Sequence, residues 1–270
     1  MLKTRVVTSL ILAPLVLAIS WYGNAGVFSA FVAAIMALVL HEWLTIVYRR
    51  QGMARWLLPA AVAAIIFGQG ITANITIPLM AYLAITLWAL ASLWLAVPNL
   101  GYQEHPITIR LKAYLGTFLV LASGLALVTL HNHLSLGPLW TVMLFGLIWV
   151  ADVGAYFSGR FLGRRKLAPA ISPGKTVEGV MGAVLLVAVY AGVIAWWLKL
   201  PVLKLVAGFC AVALISVVGD LTASLVKRQG QVKDSGRWLP GHGGFLDRFD
   251  SLLAASPFFL ILVNWLMGRG

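Results

Sequence analysis

The chain has 270 residues, 61% hydrophobic and 10% charged, with a formal net charge of +12 and a mean hydropathy of +0.94. These values exclude a soluble globular domain and describe an integral membrane protein. They also argue against nucleic acid as a partner, because the basic residues are dispersed among the ends of apolar segments, where anionic lipid headgroups and phosphorylated substrates are the better match.

In chain order, apolar stretches near 6–23, 26–48, 56–73, 76–98, 111–131, 138–158, 177–198, 202–226 and 251–268 predict an all-α polytopic fold. Each is long enough to cross a hydrocarbon layer of about 30 Å at about 1.5 Å per residue. Nine transmembrane helices are expected, with eight as the fallback count, because Gly68, Gln69 and Gly70 interrupt the third stretch and Pro257 the ninth. MLKTR opens the first stretch, and with no small-x-small cleavage site after it we read an uncleaved helix. The single cysteine, Cys210, lies in an apolar run and leaves no intrachain disulfide framework. Residues 1–135 hold about five spans, and 136–270 form a C-terminal region with polar loops at 159–176 and 227–250.

Lysine and arginine are retained on the cytoplasmic side of short loops. With the N-terminus cytoplasmic, 17 of the 20 basic residues fall on that side, leaving Lys199, Lys204 and Arg269 outside. Both polar loops then face the cytoplasm. In the N-terminal half, Glu42 beside His41 reads either as another buried site or, the preferred reading, as an interfacial residue with Arg49 for company, and His131 and His133 read as interfacial and solvated.

The eight acidic residues carry more information, because an ionised carboxylate within a span costs a few kcal/mol or more without a partner. Asp152, in WVADVGAY, and Asp220, in SVVGDLTASLVKR, lie about five and six residues before the cytoplasmic ends of their spans. Both are expected buried, roughly 8–9 Å beneath one surface, as parts of one shared site. At about 100° per residue from Asp220, Ser224 lies near +40°, Lys227 near −20° and Arg228 near +80°, so a carboxylate, a hydroxyl and an ammonium climb one helix face. Asp247 and Asp250 are spaced i, i+3. Just upstream, His242, Gly243 and Gly244 lie in a GHGG run whose glycines let amides approach an anion and open a helix facing it. Carboxylates among cations and glycine amides describe a site for a divalent metal with phosphate, and Mg²⁺ suits such hard oxygen ligands.

SPGKTVEG, residues 172–179, imitates a phosphate-binding loop. The Walker pattern requires glycine where Pro169 stands, and no strand is expected before it. A turn through Ser172, Pro173 and Gly174 can still deliver Lys175 and the amides of a new helix to an anion. Glu178 in the first turn suits the helix dipole.

The stretch SLVKRQGQVKDSGRWLPGHGGFLDRFDS, residues 224–251, resembles the signature of the phosphatidate cytidylyltransferases, also called CDP-diacylglycerol synthases, over its whole length. Ser224, Lys227, Arg228, Lys233, Asp234, Gly236, Leu239, Pro240, His242, Gly243, Gly244, Phe245, Asp247, Arg248, Phe249 and Asp250 all match it. The likeness continues through residues 147–180 and 216–252. It implies an enzyme of the bacterial inner membrane that condenses CTP with phosphatidic acid, giving CDP-diacylglycerol and pyrophosphate. It further implies Mg²⁺ on Asp220 and Asp247, a second monovalent cation such as K⁺ nearby, and Asp250 and Asp152 as near-shell ligands. Lys227 joins the catalytic set, while Lys175, Ser224, Arg228, Lys233, His242, Gly243, Gly244 and Arg248 are the expected substrate contacts. A homodimer is left open. The alternative from a different class is a cation-coupled transporter using the same carboxylates. Against it, the polar residues crowd to one side, and no repeated half is visible.

Overall fold

The computed structural model describes residues 2–49, 53–72, 77–102, 105–132, 134–239, 241 and 243–268, with the backbone alone at 2–9, 53–54 and 77–81. Among them the fold is a bundle of helices α1 (Leu2–Tyr22), α2 (Ala25–Tyr48), α3 (Leu57–Ile71), α4 (Ile77–Ala96), α5 (Pro106–Asn132), α6 (Gly137–Leu162), α7 (Val177–Leu198), α8 (Val202–Gln229) and α9 (Leu246–Leu266). Six of these, α2 and α5 to α9, are long and apolar enough to cross a membrane, and α1, α3 and α4 contribute shorter apolar stretches. The all-α membrane architecture is therefore as expected.

Several helices outrun the apolar stretches that announce them. α5 begins at Pro106 rather than 111, α6 continues to Leu162, α8 to Gln229, and α9 starts at Leu246 rather than 251. Hydropathy marks the lipid-soluble part of a helix, whereas the backbone ladder continues through charged residues beyond it. Asp152 and Asp220 consequently lie 10 and 9 residues from their helix ends, still level with one another.

One core joins both halves of the chain. Phe28, Trp43, Trp140, Phe209 and Phe259, from four different helices, are all essentially inaccessible. Close approach relies on small residues, as is usual where lipid competes equally for apolar side chains. A Cβ on Gly154 of α6 would lie 2.6 Å from the Gly182 carbonyl of α7, and one on Gly219 of α8 would lie 2.6 Å from the Asp250 carbonyl of α9. The outer faces of α4 and α7 carry exposed Tyr82, Leu93, Leu185, Val189 and Trp196, a surface suited to lipid rather than water.

Two expectations need correction. The segment before α7 forms an antiparallel hairpin, β1 (Lys166–Ala168) with β2 (Ser172–Thr176), so a strand does precede the GKT residues. Three residues are too few to show a period of two in sequence. The hairpin is held on α8, where Ile171 packs with Leu221 and Leu225 and its carbonyl accepts from Arg228 Nε at 3.1 Å. His131 is buried rather than solvated: Nε2 donates to the Ser20 carbonyl at 3.0 Å, and the ring stacks on Phe28 with centroids 3.8 Å apart. His133 lies outside the described residues.

Candidate active site

α8 ends at Gln229 and α9 begins at Leu246, and the described residues between them help bring residues far apart in sequence around one opening. A cavity of about 320 Å³ is lined by Asp152, Asp220, Lys227, Asp234, Asp247, Arg248, Asp250 and Ser251, with Ile148 behind them. A smaller cavity of about 210 Å³ adjoins it between α6, α7, the hairpin and α8, sharing Asp152, Asp220 and Ser251 and adding Lys175. Larger cavities of about 950 and 400 Å³ lie at the ends of α2 and α8. They hold fewer carboxylates, so the smaller acidic opening is where the chemistry gathers.

Asp247 is the most heavily bonded carboxylate. Its Oδ1 accepts from Lys227 Nζ at 2.5 Å. Its Oδ2 accepts from the amides of Ser235 at 2.8 Å and Gly244 at 3.0 Å, and from Ser235 Oγ at 3.0 Å. The GHGG glycines answer a close approach: Gly243 has φ +83°, and a Cβ there would sit 2.7 Å from Asp247 Oδ2. The Lys227–Asp247 pair is enclosed, with side chains 11% and 8% exposed.

Asp220 is more open. It pairs with Lys175 from β2, at side-chain exposures of 30% and 26%, and its Oδ1 accepts from Ser224 Oγ at 3.3 Å. Asp250, 8% exposed, accepts from the Ser251 amide at 2.7 Å. Asp152 is exposed to the cleft rather than buried, which corrects the expectation of two buried carboxylates, because α6 and α8 flank an opening there.

The structure brings together Asp152, Asp220, Lys227, Asp247, Arg248 and Asp250, with Ser224, Lys175 and Gly244 one bond away and Gly243 close against Asp247. It sends Arg228 to the hairpin and Lys233 to the neighbouring cavity beside His41 and Arg49. His242 and Pro240 lie outside the described residues. Glu178 does more than suit a helix dipole: it accepts from the amides of Arg164 and Arg165 and pairs with Arg165 Nε at 3.0 Å, closing the chain ahead of the hairpin. Thr176 caps the start of α7 by accepting from the Gly179 amide.

Glu42 departs furthest from expectation. It is 2% exposed, and Arg49 donates instead to the Gln229 carbonyl at 2.8 Å. Its carboxylate accepts from Ser235 Oγ at 2.6 Å, the Phe245 amide at 3.0 Å and the Leu246 amide at 2.8 Å. The signal was present, a carboxylate within an apolar span, but no sequence rule pairs it with a loop some 200 residues away.

A divalent cation fits this donor set. Five carboxylates and two cations, Lys227 and Arg248, line the larger opening. Adding Lys175 still leaves carboxylates in excess, all of them hard oxygen donors. Among the described residues, no three acidic, histidine or cysteine side chains converge into a closed ligand group, so the carboxylates ring the cavity rather than meet at a point.

An acidic, cation-studded cleft among apolar helices is a setting suited to chemistry on charged groups beside lipid. A model of the cytidylyltransferase family matches residues 3–266, and the chain belongs to that family, within the nucleotidyltransferases. Among similar proteins, the phosphatidate cytidylyltransferase of Pseudomonas aeruginosa is 38% identical over 280 aligned residues, covering 100% of this chain and 99% of its own. That of Haemophilus influenzae is 34% identical, covering 96% of this chain and 97% of its own. That of Bacillus subtilis is 48% identical over 120 residues, 43% of this chain.

Proposed function

We propose that the chain condenses CTP with phosphatidic acid, releasing pyrophosphate and leaving CDP-diacylglycerol in the membrane. The observation that carries this reading is the acidic cavity at the junction of α6, α8 and α9, which sets carboxylates and cations beside helices that face lipid. Relatives named for phosphatidate as substrate support it.

No covalent enzyme intermediate is required. The phosphomonoester of phosphatidic acid is already largely ionised at neutral pH, and one of its oxygens forms the new bond to the α-phosphorus of CTP. The bond from that phosphorus to the bridging α,β-oxygen breaks, and pyrophosphate leaves with the electron pair. The protein supplies position and compensation of charge. Asp220 and Asp247 would hold Mg²⁺, with Asp152 and Asp250 beside them, and the ion supplies neutralisation of the triphosphate. Lys175 and Arg248 would meet phosphate oxygens, while Lys227, paired with Asp247, would hold it in its enclosed position. A monovalent cation such as K⁺ would find room among the same carboxylates.

In this reading the active side faces the cytoplasm, where the nucleotide is, and with nine crossings the N-terminus would lie there as well. A bacterial inner membrane is the setting. The deciding experiment follows radiolabelled CTP into chloroform-extractable lipid, using purified protein in detergent with phosphatidic acid, with and without Mg²⁺. Label entering lipid only when both are present is the expected result. No incorporation by well-folded protein would overturn the reading.

A further inference from the structure

We propose that Glu42 is a positioning residue for the reaction: from α2 it fixes the start of α9 and, through the hydroxyl of Ser235, the orientation of Asp247. The inference rests on the functional reading above for its consequence and on geometry for its content. Glu42 reaches no cavity carboxylate directly. Its oxygens accept from the Phe245 and Leu246 amides, donors at the first turn of α9 that have no partner within that helix. A negative charge there also complements the positive end of the helix.

The second connection is a shared donor. Ser235 Oγ lies 2.6 Å from Glu42 Oε2 and 3.0 Å from Asp247 Oδ2, so one hydroxyl stands between two carboxylates. Its proton can serve only one of them at a time. The Ser235 amide goes to Asp247 at 2.8 Å, so the residue as a whole is gripped from both sides. Two glycines of the loop are shaped by the same acid. A Cβ on Gly236 or on Gly244 would collide with the Glu42 carboxylate. The glycines of this loop therefore make room for a protein carboxylate as well as for the site's own. Partners that orient ligand groups in this way typically change activity by about 10–100-fold when removed.

The test uses purified full-length chain carrying Glu42→Gln, Ser235→Ala or both, each shown to be folded by its elution volume and melting temperature. Expected is a fall in kcat of about 10–100-fold in each single variant, with KM for CTP and phosphatidic acid within about threefold of wild type. The double variant should lose less than the product of the two single losses, because both variants break the link through the Ser235 hydroxyl. Wild-type kcat in folded Glu42→Gln, or losses that multiply in the double, would overturn the proposal. If Glu42→Gln does not fold, Ser235→Ala decides on the same criterion. Amide hydrogen exchange provides a readout independent of activity. The amides of Ser235, Gly244, Phe245 and Leu246 should exchange faster in the variants while those of α6 and α7 stay unchanged, and unaltered exchange at those four would sink the idea even if the wild-type chain makes no nucleotide-linked lipid.

Discussion

At the scale of single residues, Asp220 and Asp247 occupy different surroundings, and their removal should be told apart. Asp247 and Lys227 are both enclosed, so Asp247→Asn leaves a buried ammonium unpaired, a change that typically costs about 3–5 kcal/mol. Asp220 and Lys175 are each roughly a quarter exposed or more, and breaking such a pair costs about 1 kcal/mol or less. Both substitutions are expected to lower turnover by at least about 100-fold, the scale on which preorganised electrostatic groups act. Only Asp247→Asn should also lower the melting temperature in detergent by several degrees. Equal melting temperatures with equal loss of turnover would show that the two pairs are equivalent, against the geometry.

At the scale of elements, the site depends on how closely α8 and α9 approach. Gly219 precedes Asp220 and faces the Asp250 carbonyl, so Gly219→Ala must push the two helices apart. Overpacking of this kind costs about 1–3 kcal/mol and should also reduce activity by shifting Asp220 against Asp250. Gly192 on α7 has open space around it, and Gly192→Ala should be neutral or stabilise by up to about 1 kcal/mol. Melting curves and initial rates of the pair make the comparison. The helices themselves were legible in sequence because an apolar run of this length leaves the backbone little choice. So was the acid cluster, since carboxylates are rare in such runs. The hairpin at 166–176 escaped because its strands are too short for a period, and the place of Glu42 escaped because tertiary pairing leaves no local trace. Asp152 was placed at the right level but on the wrong footing, since depth follows from counting residues and exposure does not.

At the scale of the molecule, the nine α-helices among the described residues put the turns after α2, α4, α6 and α8 on one side if each crosses. If α3, whose 15 residues span only about 22 Å, crosses as well, the bilayer must thin or the helix ends must dip to meet it. Alternation can be tested with single cysteines in a Cys210→Ala background. A membrane-impermeant maleimide added to intact cells should label Lys199→Cys and leave Arg164→Cys unlabelled until the membrane is opened. Labelling of both from outside would break the alternation and move the acidic cleft to a different side from the one proposed.

The contacts made by Glu42 also set an order of assembly. Its helix enters the membrane early, while Ser235 and Leu246 lie 193 and 204 residues further along the chain. At a synthesis rate of about 5–20 residues per second, the acid waits roughly 10–40 s before its donors exist. During that interval the growing bundle carries a carboxylate whose partners, Ser235 and the first turn of α9, have yet to be made. Completion of the reactive centre thus waits on α9, and a chain halted before it displays a carboxylate without those donors.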